Sequence, residues 1–373
     1  MTILVLNAGS SSLKFNVFRD EQVLLKGTEE RISSEPQALE AAFDHVFAKL
    51  RETMSGDMKI DAVGHRVVHG GDRFPEAVII DSKVEAGIEE LGSLAPLHNP
   101  HNLAGYRAAR ARLPEATHVA VFDTAFHHTL PPLAYNYALP AEYLAGMKIR
   151  RYGFHGISHR YVSARFAELL DRPLTDLKLI TCHLGNGCSI CAIQNGQSID
   201  TSMGFTPLEG LVMGTRTGDL DAGAILYLIM QQGKTPEEVF HLVNYQSGLL
   251  GLSGDSNDMR DLVERAGEGD PRAVLAIDVF CYRVKKYIGA YLAAMNGADA
   301  VIFTAGIGEN APAIRALICE GLDNLGISLD AGANRVAGSE ARQIGDAKVP
   351  VWVIPTNEER MIARDTEALT QRG

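Results

Sequence analysis

Two segments half a chain apart follow one plan, and that repetition restricts the fold more than any other feature of the sequence. TILVL (residues 2–6) is a nearly continuous apolar run, suited to a strand covered on both faces. After the turn NAGSSS comes LKFNVF, in which Leu13, Phe15 and Val17 alternate with Ser12, Lys14 and Asn16. This is a strand–turn–strand hairpin whose polar face carries Ser12 and Lys14. LITCHLGNGCSICAI, from Leu179 to Ile193, is again an apolar strand, a small-residue turn and a second strand, with Asn7 and Gly9 aligning with His183 and Gly185. Two matching hairpins suggest a duplicated domain, each half presenting one turn to a shared ligand; the alternative is that any two hairpins look alike over so short a span.

Helices fill the intervals. Leu39, Phe43, Val46, Phe47 and Leu50 fall on one helical face. A second helix is predicted to start with Asp270 as N-cap and Pro271 in the first turn, and to run through RAVLAIDVFCYRVKKYIGAYLAAM. A short strand, AVIFT, and a glycine turn, AGIGEN, follow. Strands and helices alternate, so the class is α/β. With 373 residues the chain exceeds the ~250–300 that one core usually supports, which predicts two domains, or three. No low-complexity linker separates the halves, so the boundary is placed only between Asp123 and Arg151.

Composition excludes several roles. A hydrophobic fraction of 46% and a charged fraction of 22% belong to an ordinary globular protein. No run approaches the ~18 apolar residues of a membrane span. The start, MTILVLNAGSSS, lacks a basic n-region, so a cytoplasmic location is expected. The net charge of −11 argues against nucleic acid or an anionic membrane as partner. If the ligands are anions, positive charge must be concentrated locally. The five cysteines are an odd number without a disulfide framework's spacing. Cys188 and Cys191 can be read as a metal-binding CxxC, but they lie in an apolar strand where positions three apart face opposite sides, so buried thiols are the expectation.

Three glycine- or serine-rich turns follow strands: NAGSSS at 7–12, HLGNG at 183–187 and GIGEN at 306–310. Such turns expose backbone N–H groups and let phosphate approach closely. Any one of them can be a structural turn; three together point to a polyphosphate held from several sides. QGKT at 232–235 ends like a P-loop, but Leu228 stands where that motif needs glycine. No GxGxxG opens a helix after the first strand, so a dinucleotide-binding domain is unsupported.

The charged groups come next. Arg66 lies beside His65 and His69 in GHRVVHGG; Asp123 lies in FDTAFHH; His155 and His159 lie in RRYGFHGISH; Arg216 stands in MGTRTGD. A charged residue among glycines and small residues suggests a loop that brings the charge to a ligand. Arg110 and Arg112 read instead as solvated helix residues. The histidine pairs four apart could ligate a metal, but Gly156 interrupts one pair, the other reads as strand, and neither has the HExxH form. Magnesium prefers oxygen ligands and substrate phosphates, which Asn7 and the pair Glu358–Glu359 can supply.

NAGSSSLKF, HRVVHGG, APLHNP, FDTAFH, RRYGFHG, HLGNG, DTSMGFTPLEGLVMGTRTGD, SGDSNDMR, FTAGIGEN and IPTNEE, in that order from residue 2 to 364, resemble the acetate kinase family. The resemblance implies an α/β chain of two duplicated ribonuclease-H-like domains, of the acetate and sugar kinase/Hsp70/actin fold, flanking a nucleotide cleft. It places residues 1–127 with 360–373 in the first domain and 128–359, with the adenosine site, in the second, and it implies a homodimer. It implies acetate and ATP/ADP as substrates, and Mg²⁺, or alternatively Mn²⁺, as the cofactor. Residue by residue, Asn7 and Glu358 match magnesium-associated positions, Lys14 a phosphate-site position with Ser10 and Ser12 beside it, Arg66 the substrate-binding arginine, and Asp123 the catalytic aspartate. His155 and Arg216 match groups that stabilise the transition state. The nucleotide segments correspond to His183, Leu184, Gly185, Asn186 and Gly187; to Asp258, Met259 and Arg260; and to Gly306, Ile307, Gly308, Glu309 and Asn310. The small apolar acyl pocket maps to Val68, Leu97, Phe154 and Pro207. Two departures are visible: the stretch from Ile32 to Ala41 is abbreviated, and Ile157 stands where threonine is common.

A carboxylate nucleophile is already ionised at neutral pH, so the difficulty is bringing anion to anion rather than removing a proton. Two arginine forks, a histidine donor and a divalent ion answer that need. Direct in-line transfer is expected, with Asp123 orienting an arginine or the metal's waters. A propionate or butyrate kinase is the nearest rival, since one methylene is worth only ~1–3 kcal/mol of discrimination. A nucleotide-gated chaperone or filament protein on the same fold would leave the acyl-pocket and arginine motifs unexplained.

Overall fold

The computed structural model describes residues 1–9, 12–30, 32, 36–53, 59–96 and 98–372, the side chains of residues 36 and 37 excepted. The chain forms two compact units, Met1–His128 with Asn357–Gly373, and Thr129–Thr356.

The first unit contains β1 (Thr2–Ala8), β2 (Ser12–Arg19), β3 (Gln22–Glu30), β4 (Ala62–Val67), β5 (Val78–Ile79) and β6 (Thr117–Phe122), in the sheet order β3-β2-β1-β4-β6-β5. The second contains β7 (Lys178–Leu184), β8 (Cys188–Gln194), β9 (Gln197–Thr201), β10 (Ala300–Thr304), β11 (Arg342–Gly345) and β12 (Val351–Val353), in the order β9-β8-β7-β10-β12-β11. Taken strand by strand in chain order the two sheets are the same. β1–β2–β3 and β7–β8–β9 are antiparallel meanders, β1–β4–β6 and β7–β10–β12 are parallel, and β5 and β11 each close an edge antiparallel to the last strand.

The match extends to register. Asn7 pairs with Lys14 as His183 pairs with Ser189, and Ala8 with Leu13 as Leu184 with Cys188. Even the irregularity recurs: the register shifts between Val17 and Phe18 in the first meander and between Ala192 and Ile193 in the second, at equivalent positions. A bulge is a local, specific feature of a strand pair, so its repetition supports duplication far better than hairpin shape does.

The central strands of each sheet, β1, β4 and β6 in the first and β7, β8 and β10 in the second, are buried on both faces, as the continuous apolar runs require, whereas the edge strand β3 is largely exposed. In the first unit Leu4, Leu6, Phe15 and Val17 pack against Phe43, Val46 and Leu50 of the helix Pro36–Thr53. The helix Glu358–Thr370 lies across β1, β4 and β6. It approaches so closely that a side chain on Gly64 would overlap Thr366 and come within 2.6 Å of Ile362. In the second unit the helix Pro271–Met295 packs on β7 and β8 through buried residues such as Phe280, Val284 and Ile288. Asp270 caps it as the sequence predicts, accepting from Arg272 N at 2.9 Å. Each fully buried large apolar side chain contributes about 1.5–3 kcal/mol to holding these layers.

Three local readings change or gain content. AGIGEN is not a free turn but the short helix Ala305–Asn310, because the Glu309 carboxylate accepts from Ala305 N at 2.8 Å and satisfies its first turn. Gly156 does not separate His155 from His159: it opens the helix Gly156–Leu170, with His155 as N-cap. QGKT supplies Thr235, which closes a capping box with Glu238 on the helix Pro236–Tyr245. All five cysteines are buried thiols. Among the described residues no helix is long and apolar enough to cross a membrane.

Candidate active site

In the first unit the ends of β1, β4 and β6 converge. Arg66, at the end of β4, donates from Nε to Asp123 Oδ1 at 3.0 Å and from Nη2 to the other carboxylate oxygen, a two-point pair. Its Nη1 donates to Asn7 Oδ1 at 3.3 Å, and Glu358 Oε2 lies 3.9 Å from Nε. Asp123 is almost fully buried (1% exposed) while the Arg66 side chain keeps 20% of its surface. Burial opposes the Arg66 charge, but Asp123 and Glu358 outweigh it, and the guanidinium pKa is raised. Glu358 is the odd acid: burial first, then Asp123 and Glu359, push its carboxyl up to about 7 against the pull of Arg66 and Lys14. Lys14 pairs with Asn7 across β1–β2. Ser12 opens β2, its carbonyl accepting from Gly9 N at 2.8 Å; Ser10 lies outside the described residues.

The oxygens of Asn7, Asp123 and Glu358 form a hard-donor set. Among the described residues no group of three or more His, Cys, Asp or Glu is placed to hold a metal. Magnesium asks less of a protein, needing one or two carboxylates and keeping waters and substrate phosphates as its other ligands. A carboxyl whose pKa is pushed up to about 7, chiefly by burial, would be returned to its charged form by a cation beside it, and so fits such an ion.

Buried asparagines fix this end of the sheet. Asn102 accepts from Val68 N at 3.0 Å and donates to Ala8 O at 2.7 Å, so one side chain ties the ends of β1 and β4 together. Asn99 accepts from His69 N at 3.1 Å and donates to His69 O at 2.9 Å. Val68 is thereby buried at a fixed position. Sequence reading passed over both asparagines, although they stand together in HNPHN at 98–102, a polar stretch that opens the helix Asn99–Arg112.

In the second unit the β7–β8 turn, Gly185–Gly187, is the focus. A side chain on Gly187 would lie 2.8 Å from Arg216 Nη2 and 3.4 Å from His155 Cε1 and Nε2, so the guanidinium and the imidazole face one small space. Arg216 Nη1 donates to the Pro207 carbonyl at 2.6 Å. Among the described residues it has no carboxylate partner, and burial lowers its pKa. A desolvated cation with spare N–H groups is a ready-made anion site. His155 sits in the left-handed region (φ 56°), at a cost of about 1–3 kcal/mol, as the N-cap of the helix Gly156–Leu170. Its Nδ1 is 2.9 Å from Ser189 Oγ, and its ring stacks on His183 at 4.2 Å between centroids. His183 Nδ1 in turn meets Ser158 Oγ at 2.8 Å, and Ser158 Oγ meets Thr356 Oγ1 at 2.7 Å. Phe154, beside His155, is buried.

The loop carrying Pro207 and Arg216 is clamped at its base. Arg151 donates to Glu209 Oε1 at 2.6 Å and, from Nη1, to the carbonyls of Thr201, Ser202 and Met203 at 3.0–3.2 Å. The other Glu209 oxygen accepts from Tyr137. Arg151 is thus a structural cation, in contrast to Arg216.

The three sequence-predicted nucleotide segments come together in a cavity of about 830 Å³, within the range of small-molecule sites. Gly185 and Asn186, Asp258 to Arg260, and Gly306, Ile307 and Asn310 line it. Asp258 caps the helix Met259–Gly267 and pairs with Arg260 at 2.6 Å. Leu184 is buried in β7, and Gly308 is buried beneath the turn. Glu309 points backwards, its carboxylate taken by Ala305 N and by Thr356 N at 3.0 Å. Behind this helix the buried Arg315 donates to the carbonyls of Gly308 and Glu309 at 2.9 and 3.0 Å; burial and Arg342 bring its pKa to about 10. Leu97 lies outside the described residues.

Residues 2–364 match the model of the acetokinase family. An acetate kinase of Dictyoglomus turgidum is 52% identical, the match covering 98% of this chain and 97% of that one, and an acetate kinase of Thermotoga maritima is 50% identical over 100% and 99%. Among solved structures, Porphyromonas gingivalis acetate kinase superposes with a TM-score of 0.92 at 41% identity, and a propionate kinase of Francisella tularensis with 0.91 at 42%, each over 99% of both chains. The duplicated α/β architecture is shared with these structures. By sequence and by structure, the chain belongs to the acetokinase family.

Proposed function

We propose that this chain is an acetate kinase, transferring a phosphoryl group reversibly between ATP and acetate in one direct in-line step. The observation that carries the reading is the β7–β8 turn: Gly185 and Asn186 line a nucleotide-sized cavity, and Gly187 abuts a histidine and a half-buried arginine that has no carboxylate partner among the described residues. A nucleotide in that cavity would present its terminal phosphate to Arg216 and His155. Both would donate to the equatorial oxygens of the moving group, where charge grows in the transition state. Arg66, aimed by Asp123, would take the acetate carboxylate. To its methyl group we assign the residues that match the family's acyl pocket, Val68, Leu97, Phe154 and Pro207.

Mg²⁺, with Mn²⁺ as an alternative, would be held through Asn7 and Glu358, with Lys14 beside them. When bound, the ion would supply positive charge to bridging phosphate oxygens. Asp123 needs no basic role here, because acetate arrives ionised and the aspartate is committed to Arg66.

The similarity to a propionate kinase favours a second reading with a longer acid. Buried, branched Val68 supports acetate, though a single methylene gives only ~1–3 kcal/mol of preference. The proposal includes a homodimer. In its support, the helix Ala222–Met230 buries none of its residues, leaving Leu226, Tyr227 and Met230 at 55%, 55% and 72% exposure. A cytoplasmic location fits the reduced thiols. The test is to incubate the protein with MgATP and a series of short carboxylic acids and trap acyl phosphate with hydroxylamine. Acetate should give the highest kcat/KM, and no acyl phosphate from any acid would end the reading.

A further inference from the structure

Beneath His155 runs a buried chain of hydrogen bonds with a direction. Ser189 Oγ lies 2.9 Å from His155 Nδ1 and 2.7 Å from His159 Nε2, and His159 Nδ1 lies 2.7 Å from Thr181 Oγ1. Ser189, His159 and Thr181 are fully buried. None of them is needed for contact with a ligand, and a set of small apolar residues would fill the same space at lower desolvation cost.

A neutral imidazole has one donor and one acceptor nitrogen, and Ser189, were it to accept from both rings, would leave its own buried proton without a partner among the described residues, so the three contacts run one way. In one sense Thr181 donates to His159 Nδ1, His159 Nε2–H donates to Ser189, and Ser189 donates to His155 Nδ1. His155 then carries its proton on Nε2. In the other sense His155 donates from Nδ1 and the chain ends with Thr181 accepting from His159. The buried Thr181 proton would then need another acceptor, and among the described residues Thr181 Oγ1 has no second partner. An orphaned buried donor is disfavoured strongly enough to select the first sense.

The selected sense is the useful one. His155 Nε2 faces the same space as Arg216, next to Gly187. A neutral imidazole with Nε2–H can donate there to a phosphoryl oxygen, and it adds no second positive charge beside the guanidinium. We infer that Ser189, His159 and Thr181 are positioning residues that hold His155 as the neutral Nε2–H tautomer, so that it meets the transferring group as a donor. The meaning of that donor rests on the proposed kinase reaction; the direction of the chain does not.

The test is long-range proton–nitrogen NMR of the full-length protein labelled at histidine, recorded without substrates. The expected result is Nε2–H for both His155 and His159. In Ser189→Ala, His155 should become a mixture of tautomers, and kcat should fall roughly tenfold, the worth of one ordinary hydrogen bond, with both KM values within about twofold. Thr181→Val replaces the terminal hydroxyl by a methyl group and should randomise both rings, which provides a second route should Ser189→Ala not fold. His155 protonated on Nδ1 in the wild type, or unchanged tautomers in the folded variants, would overturn the inference. A protein with the expected tautomers that makes no acyl phosphate would overturn the kinase reading alone.

Discussion

Asp123 holds Arg66 by both carboxylate oxygens, so the guanidinium is oriented before any ligand arrives. That geometry assigns the aspartate a directional role and leaves it no free oxygen edge for proton abstraction. Asp123→Asn keeps the shape but gives up the charge and one of the two acceptors. We expect kcat/KM for acetate to fall by about two orders of magnitude, or ~2.7 kcal/mol. Full activity with unaltered metal binding would show that the charge is idle.

Arg216 differs from Arg66 in having no carboxylate to answer it among the described residues. Arg216→Ala is expected to reduce turnover by ~3–4 kcal/mol of transition-state stabilisation with little change in KM for acetate. Arg216→Lys should recover little, since a point charge cannot replace the planar fork. A loss confined to acetate affinity would contradict the assignment.

Gly187 keeps the floor of that site low. Gly187→Ala would set a methyl group 2.8 Å from Arg216 Nη2, and the position does not have the positive φ that would forbid alanine. The expected outcome is at least a tenfold loss of kcat with a melting temperature close to wild type. An active Gly187→Ala enzyme would mean that Arg216 and His155 are not held where turnover needs them.

His65 and His118 form a buried neutral pair in the first sheet, Nε2 to Nδ1 at 2.9 Å, with His118 Nε2 on Leu113 O at 3.0 Å. Burial lowers both pKa values, that of His65 furthest. Below pH ~6.5 the unfolded chain therefore binds protons that the folded chain refuses, and stability falls by up to ~1.4 kcal/mol per pH unit for each histidine. Glu358 works the other way between its ordinary value and about 7, since the folded state takes its proton first. The clean measurement is the difference in denaturant midpoint between wild type and His65→Gln at pH 7 and pH 5. The variant should lose less stability on acidification, and equal losses would refute the pair's role.

Glu358 also makes metal binding a competition with a proton. With its carboxyl pushed up to about 7, the ion must displace hydrogen below that pH. Mn²⁺ affinity, read by paramagnetic resonance, is expected to rise roughly tenfold from pH 6 to pH 8 and to lose that dependence in Glu358→Gln. A pH-independent affinity in the wild type would place the ion elsewhere.

Much of this was written in the chain. Strand hydrophobicity, the two hairpins and the Asp270 cap predict elements that the structure contains, because burial on both faces and capping leave local marks. Asn7 and Glu358 could be paired as oxygen ligands from their residue types, but that Arg66 and Asp123 join them was reachable only through the resemblance, since nothing local says that strand ends a hundred residues apart will meet. The chain beneath His155 was missed. Ser189 and Thr181 are single hydroxyls in apolar strands, and without the pairing register nothing shows that both face His159. AGIGEN read as a turn because its glycines conceal a helix that is stabilised from outside its own backbone ladder, by a folded-back carboxylate and a buried arginine.

The helix Glu358–Thr370 has a consequence for synthesis. It covers β1, β4 and β6, yet the ribosome makes it only after all of residues 129–356. The sheet begun first therefore stays unfinished longest, with the surface around Gly64 bare while its younger twin can already close. Nascent chains halted before residue 357 would carry that open face, making them natural clients for chaperones and early targets for proteolysis.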